Sequence, residues 1–499
     1  MEKNNKKSIL NILLDLILFF GSFLVMAVRW VFSYFSNVSI DTVFLQMNKS
    51  LEGTDSKIVL DGIIGIGVFG FLIYFIVKII YMLIKKFILK DKAKNKHETI
   101  YLILAIVIYL SYIFIKSDIL GYVIAKNTDS KFFANNYVEP SKVEITFPEE
   151  KKNLIYIILE SMENSFMDED RLGVMEKNLI PEITKLQKEN ISFSHTDKPH
   201  GGAINFSGVD CTIASLVAQS TGIPLYLIDN EDNDKLTEAD NFLNSYYTLG
   251  DVLEENGYNQ VFMCGSSASF AGRGTFYRNN GNYKIYDYDY IIGNKIKKDE
   301  NYAPWGIYDY ELYEHAKEEI IRLSKENKPF NFTMLTVDTH HMDGTVCKKC
   351  ILEYGKDNQY KNVISCSSRQ VYAFINWIKE QDFYEDTVVV VVGDHPSMSS
   401  TFDEYYDDSY EKTVVNCFIN SSIEPINTNK RVFSVMDLYP TTLAAMGAKI
   451  EGDRLGLGTN LFSDKQTIIE EVGEYYFIAE LRKRSDFYQE LVSETMGEK

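Results

Sequence analysis

Three long apolar runs near the N-terminus restrict what this 499-residue chain can fold into. They cover about residues 9–34, 58–84 and 99–115. Each run approaches or exceeds the roughly 20 residues that a helix needs to cross a bilayer. The first run is too long for a cleaved signal peptide, and no small-residue cleavage site closes it. We therefore predict three transmembrane helices within a membrane region of residues 1–118.

Lysines flank these runs on one side of the predicted membrane. Lys3, Lys6 and Lys7 precede the first run, and the stretch "KKFILKDKAKNK" separates the second from the third. The positive-inside rule makes both flanks cytoplasmic, so three crossings place the chain beyond about Lys116 on the extracellular or periplasmic side. The alternative is that the third run is a buried core helix, in which case the large domain is cytoplasmic.

The rest of the chain is acidic and has a different pattern. Residues 1–125 hold 14 basic and 9 acidic residues, which leaves 37 basic and 61 acidic residues for the remainder. Such a body is a poor binder of nucleic acid, because phosphate backbones need neutralising cations. Six cysteines are too few for a disulfide-dense scaffold.

After a connector over residues 119–150, short apolar runs alternate with helical stretches. The runs are "NLIYIILE", "NQVFMCG", "FNFTMLTVDTHH" and "DTVVVVVGDH". Near-continuous apolar strands separated by helices indicate a mostly parallel sheet flanked by helices. We predict an α/β catalytic domain over residues 151–470, followed by a C-terminal helical tail over residues 471–499.

Three of these runs end in side chains that can bind metal or transfer protons. In open α/β sheets, ligands bind at the carboxyl ends of the strands, where these side chains meet. Carboxylates and imidazoles suit Mg²⁺, Mn²⁺ or Zn²⁺ and not a soft-metal thiolate site. The residues concerned are Glu160, Asp338, His340, His341, Asp394 and His395.

Thr212 begins a small-residue helix in "NFSGVDCTIASLVAQSTGIPL". Threonine at a helix start is either an ordinary N-cap or a nucleophile at the positive end of the helix dipole. Its hydroxyl is a weak nucleophile unless a metal or a base removes the proton. Beside a divalent cation, the arrangement suits phosphoryl transfer, which depends on positioning and charge neutralisation.

Six motifs in this order resemble the phosphoglycerol transferases and lipoteichoic acid synthases, with phosphoglycerol transferase I as the nearest type. These are membrane-anchored members of the alkaline phosphatase/sulfatase superfamily. The resemblance covers about residues 138–465, and the loop "DTVFLQMNKSLEGTD" also looks like that group. The motifs are "NLIYIILESMENSF", "DCTIASLVAQSTGIPL", "FAGRGTFYRNNG", "TVDTHHMDG", "VVVVVGDHPSM" and "MDLYPTTLAAMGAKIEGDRLGLGTNLFS".

The resemblance implies a role for each matched residue. Thr212 matches the nucleophile, which also contacts the metal, and His340 matches the histidine beside the substrate phosphate. His341, its neighbour, is also expected to bind substrate, and Arg273 falls where a basic residue contacts the phosphoglycerol group. The implied metal ligands are Glu160, Thr212, Asp394 and His395.

The implied activity is transfer of phosphoglycerol from phosphatidylglycerol, or a related lipid, to a cell-envelope glycan, glycolipid or teichoic acid. The reaction passes through a phosphothreonine and uses one divalent ion, Mn²⁺ or Mg²⁺, with Zn²⁺ as the alternative. The implied partners are the donor lipid, the acceptor and the bilayer. Competing functions are a phosphoethanolamine transferase, a sulfatase or phosphodiesterase of the same fold, and a non-catalytic membrane-anchored glycan-binding protein.

Two departures from related patterns affect this interpretation. True sulfatases need Cys-x-Pro-x-Arg, whereas Cys211 is followed by Thr-Ile-Ala-Ser, so Cys211 is interpreted as a small buried neighbour. Lipoteichoic acid synthases have a tryptophan two residues before the position of Arg273. Here that residue is Ala271, so we expect a different glycerol-binding wall.

Two further segments have more than one interpretation. Cys347 and Cys350 form a Cys-x-x-Cys pair that can bind zinc, although a second pair is missing. Alternatively, one of them forms a disulfide with Cys366, which would clamp the loop beside the substrate histidines. The acidic, tyrosine-rich stretch 402–411 is interpreted as a solvated loop or as an acceptor-binding lid.

Overall fold

The computed structural model describes residues 2–36, 38–47, 56–89, 95–226, 243, 246–295, 305–407 and 409–494. The chain divides into two compact units. One comprises Met1–Ile40 with Thr54–Ile124, and the other comprises Asp41–Gly53 with Ala125–Lys499.

The first unit contains the three predicted apolar helices. The stretches Ile9–Tyr34, Lys57–Ile88 and Lys96–Ser117 are long and apolar enough to cross a membrane, which makes this a membrane protein. The helices that form them are Glu2–Tyr34, Ser56–Gly62, Phe69–Leu83 and Asn95–Ser117, with π-helical segments at Ile63–Val68 and Ile84–Ile88.

The third apolar helix does not have the burial of a core helix. Only 22% of its most apolar part is buried. Polar side chains within the first two helices are paired with each other, since Lys78 Nζ lies 2.8 Å from Asp15 Oδ1. Exposed apolar surface together with paired internal charges is typical of membrane helices.

The second unit is built on a six-stranded sheet. We number its strands β1 (Asn153–Leu159), β2 (Asn259–Cys264), β3 (Lys284–Tyr286), β4 (Phe330–Leu335), β5 (Thr387–Gly393) and β6 (Asn416–Ile419). The order is β3-β2-β4-β1-β5-β6, with β6 antiparallel to β5 and every other pair parallel. The four predicted strands are confirmed. The two edge strands escaped prediction because β3 has three residues and β6 has four.

Helices cover both faces of this sheet. Along β1, Leu154, Tyr156 and Ile158 pack into one hydrophobic core, whereas Ile155, Ile157 and Leu159 pack into the other. A strand that is apolar on both faces is expected where helices cover both sides of a sheet. The α-helices of this unit are Phe132–Asn136, Pro181–Glu189, Thr212–Thr221, Leu249–Glu255, Arg273–Asn279, Tyr288–Lys295, Asp309–Ser324, Gln359–Lys379, Leu438–Ala445, Ile468–Val472, Glu474–Leu481 and Asp486–Glu494. Two further helices, Ile40–Met47 and Ile119–Lys126, include residues of both units.

Shorter elements complete the second unit. Three two-stranded sheets pair Ile145–Thr146 with Lys449–Ile450, Ala203–Ile204 with Thr413–Val414, and Arg454–Leu455 with Gly458–Thr459. The 3₁₀ turns lie at Pro140–Lys142, Asn164–Phe166, Glu169–Arg171, Phe270–Gly272, Tyr384–Asp386, Ser400–Tyr405, Val435–Asp437 and Glu451–Asp453.

A segment between the first two apolar helices belongs to the second unit. Thr42 Oγ1 donates to Asp210 Oδ1 at 2.5 Å, two residues before the start of the Thr212–Thr221 helix. Asp41 forms an ion pair with Arg482 at 3.1 Å. The segment therefore contacts the loop that leads to the nucleophile candidate, a role that its own sequence did not suggest.

Candidate active site

The carboxyl ends of the adjacent strands β4, β1 and β5 form one site. Glu160 follows β1, and its backbone N–H donates to Thr336 Oγ1 beyond β4 at 3.0 Å. Asp394 and His395 follow β5. One ligand atom of each of Glu160, Asp394 and His395 lies within 4.8 Å of the other two, and all three residues are buried. The sequence-based expectation that these strand ends converge therefore agrees with the geometry.

Thr212 faces this group of side chains. It is the first residue of its helix, and Cys211 occupies the N-cap position without a side-chain cap. Thr212 Oγ1 lies 3.3 Å from Glu160 Oε2 and 3.3 Å from His395 Nε2. The hydroxyl therefore points away from the helix backbone and into the site, at the positive end of the helix dipole.

Backbone and side-chain contacts hold Asp394 in one orientation. Its Oδ1 accepts the backbone N–H groups of Ser161 and His395, both at 2.8 Å. Ser215 Oγ, on the Thr212 helix, donates to the Asp394 carbonyl at 2.6 Å. Asp394 Oδ2 has no hydrogen-bond partner among the described residues. A buried carboxylate oxygen held in this way is a suitable ligand for a cation.

The charges at the site are crowded. Burial and then the charge of Glu160 raise the pKa of Asp394 to about 7. Burial also opposes ionisation of Glu160, but the neighbouring His340 and His395, together with hydrogen bonding such as that from the Ser161 hydroxyl at 2.8 Å, lower the pKa of Glu160 overall. Two buried carboxylates, an imidazole and a hydroxyl form a donor set that fits Mg²⁺, Mn²⁺ or Zn²⁺. The residues present therefore fit the divalent ion that the resemblance implies.

Hydrogen bonds determine which nitrogen of each histidine carries a proton. His395 Nδ1 lies 2.8 Å from the Pro396 carbonyl, and His340 Nδ1 lies 2.8 Å from the His341 carbonyl. A carbonyl only accepts, so each Nδ1 carries a hydrogen and each neutral ring has its lone pair on Nε2. Burial lowers the pKa of His340 below its ordinary value. His395 therefore has the tautomer of a metal ligand, and neutral His340 has an available acceptor.

Arg273 is not a surface residue. Its side chain is only 6% exposed, whereas Arg278 is exposed. Nη2 donates to Ser266 Oγ at 2.6 Å and to the Ser267 carbonyl at 2.8 Å. The preceding residues Ala271 and Gly272 have φ values of 57° and 71°, and this kink turns the chain into the helix that Arg273 begins. Burial lowers the pKa of His340 most, the Glu160 charge opposes this, and the Arg273 charge adds a smaller lowering.

Comparison with known proteins assigns the chain that carries this site to a family. The model of the family described as Sulfatase matches residues 152–448, which include Glu160, Thr212, Arg273 and Asp394. The match covers more than half of the chain. The chain belongs to the sulfatase family.

Curated relatives of this sulfatase-family chain carry the name phosphoglycerol transferase I. The protein of Escherichia coli O139:H28 (strain E24377A / ETEC) is 31% identical over 451 residues, covering 86% of this chain and 54% of that protein. The protein of Salmonella choleraesuis (strain SC-B67) is 33% identical over 338 residues, covering 66% of this chain and 41% of that protein. The chain therefore spans about half the length, or less, of these relatives.

A solved structure supports the fold assignment. The lipoteichoic acid synthase LtaP from Listeria monocytogenes is 19% identical, with a TM-score of 0.50, and the match covers 64% of this chain and 79% of that chain. The alkaline phosphatase/sulfatase fold that we expected is confirmed by this neighbour and by the family match.

Trp305 is a residue of the site that sequence reasoning missed. Its ring centre lies 4.1 Å from that of His340, and its Nε1–H donates to the His341 carbonyl at 3.2 Å. Phe270 lies edge-on to it at 6.1 Å. Trp305 therefore lies beside His340, and Phe270 beside Trp305, although residue 271 itself is an alanine. The sequence offered one indication of this residue: the chain has only three tryptophans, so each of them is a candidate for a specific role.

Two other residues that the sequence singled out, His341 and Asp338, lie outside the group of candidate metal ligands. The His341 ring is buried, and burial lowers its pKa to about 4. Asp338 is also buried, and neither of its carboxylate oxygens has a hydrogen-bond partner among the described residues. Neither residue belongs to the group formed by Glu160, Asp394 and His395.

The stretch 402–411 is more than a solvated loop. Phe402 is buried, and Tyr406 donates to Glu163 Oε1 at 2.8 Å. Lys412 Nζ lies 3.8 Å from the centre of the Tyr406 ring. Glu163 in turn accepts the backbone N–H of Ser397 at 2.9 Å, so Glu163 links this stretch to the loop that follows His395.

Proposed function

We propose that this chain transfers phosphoglycerol from phosphatidylglycerol, or a related lipid, to an extracytoplasmic glycan, glycolipid or teichoic acid acceptor through a phosphothreonine. One observation carries the proposal: Thr212 Oγ1 lies 3.3 Å from both Glu160 and His395 at a helix N-terminus. The relatives named phosphoglycerol transferase I support the choice of transferred group.

Glu160, Thr212, Asp394 and His395 would hold the divalent ion, Mn²⁺ or Mg²⁺, with Zn²⁺ as the alternative. When bound, the ion supplies positive charge that favours the ionised Thr212 hydroxyl and neutralises a phosphate oxygen. The protein's own contribution is to hold these oxygen and nitrogen atoms in place, through Ser161, Ser215 and the strand ends.

The chain's residues divide the transfer into two displacements at phosphorus. In the first, a bond forms between Thr212 Oγ1 and phosphorus, and the bond from phosphorus to the diacylglycerol oxygen breaks. The Thr212 proton leaves toward the Glu160 carboxylate, whose Oε2 accepts the hydroxyl hydrogen bond at 3.3 Å. In the second, an acceptor hydroxyl displaces Thr212, whose oxygen regains a proton.

His340 would serve the leaving and entering oxygens. Its Nδ1–H is committed to the His341 carbonyl, so only Nε2 exchanges protons with substrate. The protonated ring gives a proton to the departing diacylglycerol oxygen. The neutral ring, which burial favours by lowering the pKa, takes one from the acceptor hydroxyl. Trp305 packs against this ring and would also form the wall for the glycerol carbons, together with Phe270.

The test of the function uses phosphatidylglycerol labelled in its glycerol headgroup. We expect label in an added glycan, glycolipid or teichoic acid, with one diacylglycerol released for each group transferred. Release of the label only as free glycerophosphate would support a hydrolase instead. Transfer from phosphatidylethanolamine, but not from phosphatidylglycerol, would support a phosphoethanolamine transferase.

Arg273 should contribute to binding and to the transition state. A planar guanidinium with paired donors suits the non-bridging phosphate oxygens better than an ammonium does. We expect Arg273→Ala to lower turnover by roughly one to three orders of magnitude, the effect of losing one electrostatic donor, and Arg273→Lys to retain part of the rate. Steady-state kinetics with labelled phosphatidylglycerol would measure both.

The matched control for Arg273 is Arg278→Ala, because Arg278 is exposed on the same short helix. It should keep the wild-type turnover, and the metal content should be unchanged in all three variants. Wild-type turnover in Arg273→Ala would remove this residue from the site.

The membrane topology forms part of the proposal. Lysine-rich flanks and three apolar spans would place the second unit outside the cytoplasm, where membrane attachment raises the local concentration of the donor lipid. Protease added to intact cells or protoplasts should cleave epitopes placed beyond Lys116, whereas an epitope within residues 85–96 should be protected. Protection of the second unit until the membrane is disrupted would contradict this orientation.

A further inference from the structure

Three cysteines converge at a place distinct from the site around Thr212. Cys347 and Cys350 lie in the connection between β4 and the Gln359–Lys379 helix, and Cys366 lies on that helix. Cys347 Sγ is 3.5 Å from Cys350 Sγ and 3.9 Å from Cys366 Sγ. Cys347 and Cys366 are buried, and Cys350 is half-buried. From the sequence, Cys347 and Cys350 were a Cys-x-x-Cys pair without a second pair, and the structure adds the sulfur of Cys366 as a third candidate ligand.

These separations match metal–thiolate geometry. A tetrahedral ion with Zn–S bonds of about 2.3 Å sets its sulfur ligands about 3.8 Å apart. A disulfide requires about 2.0 Å between two sulfurs, and it would use only two of the three cysteines. The observed distances of 3.5 and 3.9 Å therefore agree with three thiolates around one ion.

Nitrogen donors surround the three sulfurs. Gln370 Nε2 lies 3.1 Å from Cys366 Sγ and 3.7 Å from Cys347 Sγ. The backbone N–H of Cys347 donates to Cys350 Sγ at 3.4 Å, and the N–H groups of Lys349 and Cys350 face the Cys347 sulfur. Such donors stabilise the negative charge of metal-bound thiolates and orient them.

We propose that Cys347, Cys350 and Cys366 form a second metal site that binds Zn²⁺ or a similarly thiophilic divalent cation. Binding displaces three thiol protons, because the thiolate is the ligand. A solvent molecule completes the four ligands, which the partial exposure of Cys350 allows. The sulfur donor set separates this site from the oxygen and nitrogen donors of Glu160, Asp394 and His395.

The position of this site gives it a structural role. Residues 336–358 connect β4 to the helix without regular secondary structure, and they carry His340 and His341. Gln359 Nε2 already ties this connection to the helix by donating to the Gly344 carbonyl at 2.9 Å. A metal that joins Cys347 and Cys350 to Cys366 closes the same connection more firmly, since long irregular segments carry a large conformational entropy.

Cobalt is the probe that separates this site from the one around Thr212. Co²⁺ is added to full-length, metal-depleted protein in detergent. Tetrahedral thiolate ligation produces an intense sulfur-to-cobalt charge-transfer band, which carboxylate and imidazole ligands cannot produce. We expect the band in the wild type and in Asp394→Ala, and its loss on addition of one equivalent of Zn²⁺.

Variants assign the band to these residues. Cys366→Ser should lose it, and Cys350→Ser, a milder change at a half-buried position, should lose it too. Cys417→Ala is the matched control, because Cys417 is a buried cysteine outside the cluster, and it should keep the band. Absence of the band from the wild type, or its retention in Cys350→Ser and Cys366→Ser, would overturn the proposal.

Thiol titration tests the competing disulfide. The protein as isolated is denatured in the presence of a chelator, and the thiols are counted. All six cysteines should react. Reaction of only four, with an intact mass lower by two hydrogens than the reduced chain, would show a disulfide and overturn the metal site. Neither result depends on phosphoglycerol transfer, so this proposal and the proposed function can fail separately.

Discussion

Replacing Thr212 with alanine should abolish phosphoglycerol transfer and leave the fold intact. Alanine removes the γ-methyl group and the hydroxyl, and the hydroxyl lies 3.3 Å from both Glu160 and His395. Loss of a nucleophile lowers turnover by at least about a thousandfold. Alanine is a good helix former and Thr212 makes no N-cap, so the thermal unfolding midpoint should change little. Release of diacylglycerol from labelled phosphatidylglycerol measures the effect.

Two neighbouring variants make this experiment specific. Thr212→Ser keeps an oxygen at the same position and should retain measurable transfer. Cys211→Ser changes the preceding N-cap residue to a favoured capping type and should keep the rate within a few-fold of the wild type. A labelled glycerophosphoryl enzyme should be trapped with the wild type and not with Thr212→Ala. Undiminished diacylglycerol release by Thr212→Ala would exclude the phosphothreonine.

Removal of Asp394, Glu160 or His395 should each eliminate the ion and most of the activity. Asp394 is fully buried, and its Oδ2, which takes part in no hydrogen bond among the described residues, lies 3.4 Å from His395 Nε2, so another side chain cannot easily take its place. Removing one ligand from so small a set leaves the remaining buried charges poorly compensated. Elemental analysis should be done on Mn²⁺-loaded protein, because thiolates such as those of Cys347 and Cys366 bind this hard cation weakly.

Asparagine substitutions distinguish the loss of the carboxylate charge from the loss of the side-chain shape. Asp394→Asn keeps an oxygen that can accept the N–H groups of Ser161 and His395, and it should still lose the manganese. Asp437→Asn is a control at another buried aspartate, which caps the Val435–Asp437 turn, and it should retain the ion. Full manganese occupancy in Asp394→Ala would refute the ligand assignment.

Local sequence patterns were sufficient for the main architecture. Apolar runs long enough for a bilayer identified the three N-terminal helices, and continuous apolar strands identified β1, β2, β4 and β5. These signals are strong because burial or lipid contact on all sides demands an unbroken apolar run. The edge strands β3 and β6 were not predicted, because strands of three or four residues are too short to show a recognisable hydrophobic periodicity.

Some residues of the candidate site could likewise be predicted from the sequence, whereas others could not. Polar residues at strand ends pointed to Glu160, His340, Asp394 and His395, because neighbouring parallel strands bring their carboxyl ends to one edge. The sequence alone left Thr212 undecided between an N-cap and a nucleophile. Its Oγ1, 3.3 Å from both Glu160 and His395, is a tertiary contact over 52 and 183 residues of chain.

The sequence by itself determined the membrane helices, the class of sheet and the residue types at the strand ends, because each depends on neighbours along the chain. Only the tertiary structure decided which distant side chains meet. It placed Trp305 against His340, Thr42 against Asp210, and Cys366 beside Cys347. Each of these contacts joins segments that are far apart along the chain and are brought together by loops. The path of a loop depends on how the whole unit packs, and a local pattern of residues does not specify that packing.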